Sequence, residues 1–102
     1  MAVSKYEVMA RKELRSQGWI VDWKLRARFP IKTYSVDYFG AFDLLCYRAG
    51  DPLRFISIKG TMGILKTHRK LLESFTFPIG VQKEIWQYDP KRKIKWRREI
   101  IK

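Results

Sequence analysis

The chain contains little cysteine and little histidine. Its 102 residues include one cysteine, Cys46, and one histidine, His68. A single thiol excludes an intrachain disulfide, and one residue of each type is too few for a Cys/His zinc site within one chain. No apolar run approaches the roughly 18 residues that a membrane-spanning helix needs, and the first residues lack the apolar stretch of a signal peptide. We therefore expect a soluble, intracellular protein of the cytoplasm with no membrane partner.

Acidic residues are also scarce. The chain has 22 Lys and Arg residues against 10 Asp and Glu residues, which gives a formal net charge of +12. A field of this sign attracts polyanions, of which nucleic acid is the commonest. No segment has the pattern of a basic amphipathic helix with a broad apolar face, which disfavours a membrane surface as the partner. The charge leaves open a DNA-binding protein and a basic RNA-associated structural protein without an active site.

The apolar content is that of a folding chain. Hydrophobic residues make up 46% of the sequence, with four Trp, five Tyr and six Phe. A chain of this length buries enough surface for one core without disulfides or a structural metal. No linker, repeat or low-complexity tract divides the sequence, so we expect a single domain over residues 1–102.

Two helices are predicted. The first covers residues 5–17, where Ser4 and Glu7 have the spacing of a capping box and Gly18 suits the position after the last turn. The second covers residues 67–75.

Five strands are predicted around these helices. They cover residues 19–25, 42–48, 53–59, 81–88 and 93–101, with turn residues between them. Residues 26–40 mix basic and aromatic residues and are predicted to be irregular. The element order is α-β-β-β-α-β-β, which favours an α/β fold with a mixed sheet and a helix on at least one face.

Three charged residues stand in unusual places. Glu7 is in line with the apolar stripe of the first helix, where a charge needs a partner; the alternative is that Glu7 only completes the capping box. Asp43 lies in an otherwise apolar strand, where it is either partly buried or solvent-facing at the strand entrance. Lys59 ends the third strand and is either part of a site or a solvated strand end.

The hairpin register decides whether these residues share a face. If Asp43 pairs with Lys59, both line one face together with Ser57, since side chains alternate along a strand. A register shifted by one residue would place Asp43 and Lys59 on opposite faces. The turn does not decide between the two.

A helix with an early Glu, a strand bearing Asp, and a strand ending in Lys-Gly before a second helix together resemble the PD-(D/E)XK nuclease superfamily. Within it, the chain is similar over residues 4–75 to small archaeal-type Holliday junction resolvases and related phage proteins. The resemblance implies a restriction-endonuclease-like α-β-β-β-α-β core with a mixed central sheet and an extra C-terminal strand. It also implies that Glu7 and Asp43 bind Mg²⁺ or Mn²⁺, that Lys59 orients or activates the attacking water, and that the protein is a homodimer.

The chain departs from this family at one catalytic position. Ser57 stands where the family has an acid two residues before the lysine. Mg²⁺ could still be held by two carboxylates, a backbone carbonyl and several waters, or Asp37 or Glu73 could supply a third carboxylate. We therefore expect a metal-dependent DNA endonuclease that recognises DNA backbone or branched structure. The alternative is a non-catalytic DNA-binding or regulatory protein on the same fold.

Basic residues in the two loops and the second helix are predicted to contact duplex or branched DNA. Each phosphate contact lowers log affinity by about 0.9 per decade of salt. The predicted contacts are Arg26, Arg28, Lys32, Lys66, Arg69 and Lys70. The basic C-terminal hairpin either touches phosphates as well or carries charge that protects a sheet edge from aggregation.

Overall fold

Helix α1 (Lys5–Ser16) is the first element of the computed structural model, which describes residues 5–23, 25–28, 32–35, 38–60, 66–93 and 95–101. Ala10 and Leu14 on its inner face are fully buried, in agreement with the apolar stripe read from the sequence. Gly18, with φ 87°, follows the last turn and donates its N–H to the carbonyl of Arg15 over 3.0 Å. A side chain would be strained in this left-handed conformation, so glycine ends the helix.

A second helix and seven strands follow α1 in the described residues. They are β1 (Ile20–Asp22), β2 (Leu25–Arg28), β3 (Lys32–Ser35), β4 (Leu44–Tyr47), β5 (Leu53–Lys59), α2 (Lys66–Glu73), β6 (Val81–Tyr88) and β7 (Trp96–Ile101). Five of the strands form one sheet in the order β1-β4-β5-β6-β7. Strands β5 and β6 are parallel, and the other neighbours are antiparallel. The predicted α/β class and mixed sheet are confirmed.

The two helices cover opposite faces of this sheet. Ala10 and Leu14 of α1 pack on Leu44, Cys46, Ile56, Ile58 and Trp86. Leu72 of α2 packs with Phe42, Ile85 and the half-buried Phe55. Neighbouring residues of β5 and β6 thus belong to different cores, as alternation along a strand requires.

The prediction of irregular structure over residues 26–40 was wrong in part. Strands β2 and β3 form a separate antiparallel ribbon in which Leu25 pairs with Ser35 and Arg28 with Lys32. Thr33 is β-branched and Tyr34 is aromatic, and both types of residue favour a strand. The prediction gave more weight to Pro30, which lies between the two paired segments in sequence and disfavours a strand.

The ends of three predicted strands also differ from the structure. The last strand was predicted from residue 93 and begins at Trp96. The strand predicted over residues 19–25 is divided: β1 stops at Asp22 and Leu25 begins β2. The strand predicted over residues 42–48 is shorter, because Phe42 instead forms an isolated bridge with Tyr38.

Strand β4 pairs with β5 so that Leu44 faces Ile56. If the register is extended by one residue, Asp43 lies across from Ser57. The prediction had allowed for a pairing of Asp43 with Lys59, so the observed register differs from that pairing by two residues. Because the shift is an even number of residues, Ser57 and Lys59 still belong to the same face as Leu45.

Cys46 is fully buried in the core beneath α1. Burial raises the pKa of its thiol to about 12, and the nearby Arg54 cation only partly opposes this. We expect no reaction of the native protein with a thiol-modifying reagent at neutral pH, since the thiolate is the reactive species. Mass spectrometry should show full modification in concentrated guanidinium chloride and none in buffer; rapid native labelling would contradict the burial.

The helices of the described residues are short. α1 has 12 residues and α2 has 8. Neither is long and apolar enough to cross a membrane.

Candidate active site

The first turn of α1 lies against the end of β5. A Cβ atom at Gly60 would be 2.7 Å from the ring of Tyr6, so this ring rests directly on the backbone there. Tyr6 precedes Glu7 in α1, and Gly60 follows Lys59. The packing therefore brings the segments bearing two predicted site residues to the same end of the sheet.

Asp43 reaches the same strand end from the side of β4. Its Oδ2 atom accepts a hydrogen bond from the backbone N–H of Ile58 over 2.6 Å, and its own N–H donates to the carbonyl of Ile56 over 2.9 Å. These two bonds hold the half-buried Asp43 carboxylate beside the residue that precedes Lys59.

Glu7 is buried, with 8% of its surface exposed. Its Oε1 atom accepts a hydrogen bond from Trp23 Nε1 over 3.1 Å, and the Arg11 guanidinium lies 5.1 Å from the centre of a Trp23 ring. The expectation that a carboxylate on this stripe needs a partner is met by the indole. Ser4, the other half of the predicted capping box, lies outside the described residues.

Ser57, at the position of the missing acid, is 1% exposed. Its Oγ atom is 2.8 Å from Nε2 of His68, one turn into α2. The pair links β5 to α2, so the position two residues before Lys59 holds a hydroxyl that is already hydrogen-bonded. The hydrogen bond between His68 and Ser57 is a feature that sequence reasoning missed.

Asp22 and Tyr38 form a further polar pair that the sequence did not single out. The Tyr38 hydroxyl donates a hydrogen bond to Asp22 Oδ2. Asp22 pairs with Leu45 in the β1–β4 ladder, and Leu45 is two residues from Asp43 in sequence. Asp22 therefore lies near the same end of the sheet as Asp43. Burial raises the pKa of Tyr38, and the hydrogen bond and negative charge of Asp22 raise it further. Alternation along the chain could have indicated the position of Asp22. Trp19, Val21 and Trp23 occupy one face of this segment, so Asp22 belongs to the other.

A third carboxylate does not complete the set in the part of the chain that the structure describes. No three side chains among its His, Cys, Asp and Glu residues gather as metal ligands. Glu73 lies at the far end of α2, where it borders a cavity with Val81 and Lys83 at the start of β6. Asp37 lies outside the described residues.

The basic residues of α2 divide into two kinds. Lys66 and Lys70 are exposed and stand one turn apart. Arg69 forms an ion pair with Glu99 of β7, which lowers the pKa of that carboxyl group. Among the residues that the structure describes, Lys66 and Lys70 form no ion pair, in contrast to Arg69.

The other three predicted DNA contacts belong to the β2–β3 ribbon. Arg28 pairs with Lys32, and Arg26 pairs with Tyr34 two residues further along. The backbone thus places three basic residues within a short stretch of one ribbon.

Comparison with protein-family models, with curated proteins and with solved structures gave no match to this chain.

Proposed function

We propose that the protein is a metal-dependent DNA endonuclease of the PD-(D/E)XK type that recognises DNA backbone or branched structure and acts as a homodimer. One observation carries the proposal: contacts from two distant segments meet on either side of Lys59. Asp43 is hydrogen-bonded to Ile58, and Tyr6, which adjoins Glu7, rests on Gly60. In the proposed fold, of restriction-endonuclease-like topology, this strand end is the active centre.

The two carboxylates proposed as ligands come from segments that meet at this strand end, and their chemistry would suit a hard divalent cation. Glu7 and Asp43 supply carboxylate oxygens, which suit Mg²⁺ or Mn²⁺, and Mg²⁺ keeps part of its water shell when few protein ligands are present. A metal ion would stabilise charge on the phosphate and lower the pKa of bound water. With Ser57 in place of a third acid, we expect this site to bind metal weakly.

The chain's own groups have separable tasks in this proposal. The Ile58 N–H orients the Asp43 carboxylate, and the Trp23 indole orients that of Glu7. The positive charge of the Lys59 ammonium stabilises the negative charge that develops on the phosphate, and this does not require a metal ion. Lys66 and Lys70 hold the DNA backbone.

A second function, DNA binding without cleavage, is favoured by the Ser57–His68 hydrogen bond. A serine hydrogen-bonded to a histidine, in place of the family acid, is what a lost ligand would leave behind. The basic surface would persist unchanged in such a protein.

Cleavage of labelled four-way junction, duplex and single-stranded DNA in Mg²⁺, Mn²⁺ and EDTA tests the proposal. We expect metal-dependent cutting that falls roughly 10²- to 10³-fold in Asp43→Asn and Lys59→Met, the usual cost of removing one preorganised charged group. Asp51→Asn is the matched control, because Asp51 is exposed and pairs with Arg48 in the β4–β5 turn. Tight junction binding with no cutting in either metal would support the second function instead. Equal cutting by Asp43→Asn and the wild type would refute this site.

A further inference from the structure

A groove of about 420 Å³ lies between α1 and the hairpin of β6 and β7. Met9 and Glu13 of α1 form one wall. Three aromatic and three basic residues form the floor and the other wall: Trp86, Tyr88, Trp96, Lys93, Lys95 and Arg98. We call this the aromatic groove. Its volume is in the range of pockets that hold small organic ligands.

The aromatic rings of the groove are held at angles to one another. The Trp96 ring centre is 5.6 Å from that of Trp86 and 5.2 Å from that of Tyr88, and the planes are inclined by 53° and 70°. Trp86 is fully buried and forms the floor, while Trp96 and Tyr88 are half-buried. Two rigid, partly accessible rings therefore line a cavity that no other part of the described chain fills.

The charge of the groove is positive. Lys93, Lys95 and Arg98 are exposed, and Lys95 Nζ donates to the carbonyl of Pro90 over 3.0 Å, which fixes one ammonium at the rim. The acid on the opposite wall, Glu13, accepts a hydrogen bond from Gln17 over 2.7 Å. Three cations and one carboxylate give the groove a net positive charge. This charge complements a ligand that has an anionic group next to an aromatic ring.

The groove also leads to the candidate active site. Tyr88 at its end lies 5.5 Å, ring centre to ring centre, from Tyr6. The same Tyr6 ring rests on Gly60, next to Lys59. A chain lying in the groove would therefore continue toward the strand end where cleavage is proposed.

We infer that the aromatic groove binds an unpaired nucleotide of single-stranded DNA, with its base against Trp96 and Tyr88 and its phosphate on Lys93, Lys95 and Arg98. Stacking on aromatic side chains beside a positive backbone track is the general mode of single-strand binding. Bases in a duplex are stacked on both faces, so they cannot enter a cavity of this kind. The inference rests on the proposed function only in requiring a DNA partner, and it names the unpaired region of a branched DNA as what the enzyme holds beside its cleavage site.

Fluorescence anisotropy of the full-length chain with a labelled short oligothymidylate, in EDTA to prevent cleavage, tests the inference. Trp96→Leu removes the stacking ring and keeps an apolar side chain, and we expect it to weaken binding about 5- to 150-fold. Trp96→Phe keeps a ring and should retain most of the affinity. Because the measurement excludes metal, a protein that fails to cleave DNA can still pass this test.

A lysine pair tests the phosphate contact independently of any change in folding. Lys93 borders the groove, whereas Lys91 is exposed in the same turn and lines a different cavity. Lys93→Ala should weaken oligothymidylate binding more than Lys91→Ala, although both remove one positive charge. Equal losses would indicate general electrostatic attraction and would overturn the inference.

Photocrosslinking of the wild-type protein to oligothymidylate carrying 5-iodouracil locates the contact directly. A crosslink at Trp96 or Tyr88 supports the site, and crosslinks confined to other residues overturn it. Duplex of the same length should bind more weakly, and that preference should vanish in Trp96→Leu. Wild-type affinity in a folded Trp96→Leu, or tighter binding of oligouridylate than of oligothymidylate, would reject the assignment to single-stranded DNA.

Discussion

Replacing Glu84 with glutamine is expected to lower the free energy of unfolding by about 3–5 kcal/mol, the usual cost of breaking a buried ion pair. Glu84 is buried and Arg54 nearly so, with 4% and 11% of their side chains exposed. Arg54 donates two hydrogen bonds to the Glu84 carboxylate, one of them 2.6 Å long, and its guanidinium lies 4.6 Å from a Trp19 ring. Glutamine retains one oxygen that can accept from the Trp86 indole and from one Arg54 N–H, as Glu84 Oε1 does in the wild type, but its NH2 group cannot accept the second Arg54 hydrogen bond. The change therefore removes the negative charge together with one hydrogen bond.

The loss arises because Arg54 keeps its charge in the folded protein. Burial by itself lowers the pKa of the guanidinium, but the hydrogen bonds and charge of Glu84 outweigh burial and raise this pKa. Without the carboxylate, a buried cation is left uncompensated.

Urea denaturation followed by circular dichroism measures the change in stability. Glu99→Gln is the control, since Glu99 forms an exposed ion pair with Arg69 and its loss should scarcely move the midpoint. The double variant Arg54→Met/Glu84→Leu, which removes both charges, should recover part of the stability lost in Glu84→Gln. Similar midpoints for Glu84→Gln and Glu99→Gln would contradict the buried pair.

The strands predicted most closely from sequence are those with clear turn signals at both ends. The predicted residues 53–59 and 81–88 coincide with β5 and β6. The turn at residues 48–51 precedes β5, and Gly80, with φ 93°, precedes β6. Local chemistry was sufficient there because glycine and proline end a strand whatever the rest of the fold does.

The β2–β3 ribbon was not predictable in the same way. Strand β3 (Lys-Thr-Tyr-Ser) shows no alternation of apolar and polar residues, β2 (Leu-Arg-Ala-Arg) shows it over four residues only, and neither strand joins the five-stranded sheet. A ribbon outside the main sheet lacks the clear alternation of apolar and polar residues that identifies a half-buried strand. Its propensity for strand was therefore outweighed by the composition of a loop.

The candidate site shows a similar division. The burial of Glu7 followed from its place on the helical stripe, but its partner Trp23 is 16 residues away and could not be deduced. The common face of Ser57 and Lys59 followed from alternation along one strand. The position of Asp43 depended on the register of two strands, which the turn left undecided, and the Ser57–His68 contact depended on how α2 packs on the sheet.

Lys83 illustrates a residue whose role reverses the sequence-based expectation for lysine. A lysine in a strand of so basic a protein would be expected to lie in solvent, but Lys83 is 7% exposed. Its Nζ atom donates to the carbonyls of Leu72 over 2.9 Å and Phe75 over 2.6 Å, with Glu73 at 3.5 Å. These carbonyls belong to the last turn of α2 and the residues after it, where the regular helical hydrogen bonds end and, within the described residues, only Leu72 also accepts a backbone bond, from the Phe75 N–H over 3.3 Å. The ammonium therefore ends the helix and joins it to β6.

We expect Lys83→Met to lower the free energy of unfolding by about 2–4 kcal/mol, because it removes the ammonium that donates to the carbonyls of Leu72 and Phe75 and leaves the Leu72 carbonyl only its 3.3 Å bond from the Phe75 N–H. Methionine preserves most of the side-chain volume, so cavity formation contributes little. Lys95→Met is the matched control: Lys95 also donates from Nζ to a backbone carbonyl, that of Pro90 over 3.0 Å, but is exposed, and water can replace the lost bond. Urea denaturation of both variants gives the comparison.

Hydrogen exchange distinguishes a capping role from a general loss of stability. If Lys83 ends α2, the amides of Leu71 to Ser74 should exchange faster in Lys83→Met by a larger factor than those of β4, because the free carbonyls favour fraying of the last turn. Uniform acceleration throughout the protein would mean that Lys83 stabilises the fold only globally. Since α2 also carries Lys66 and Lys70, fraying should also lower the DNA affinity that the proposed function assigns to these two lysines.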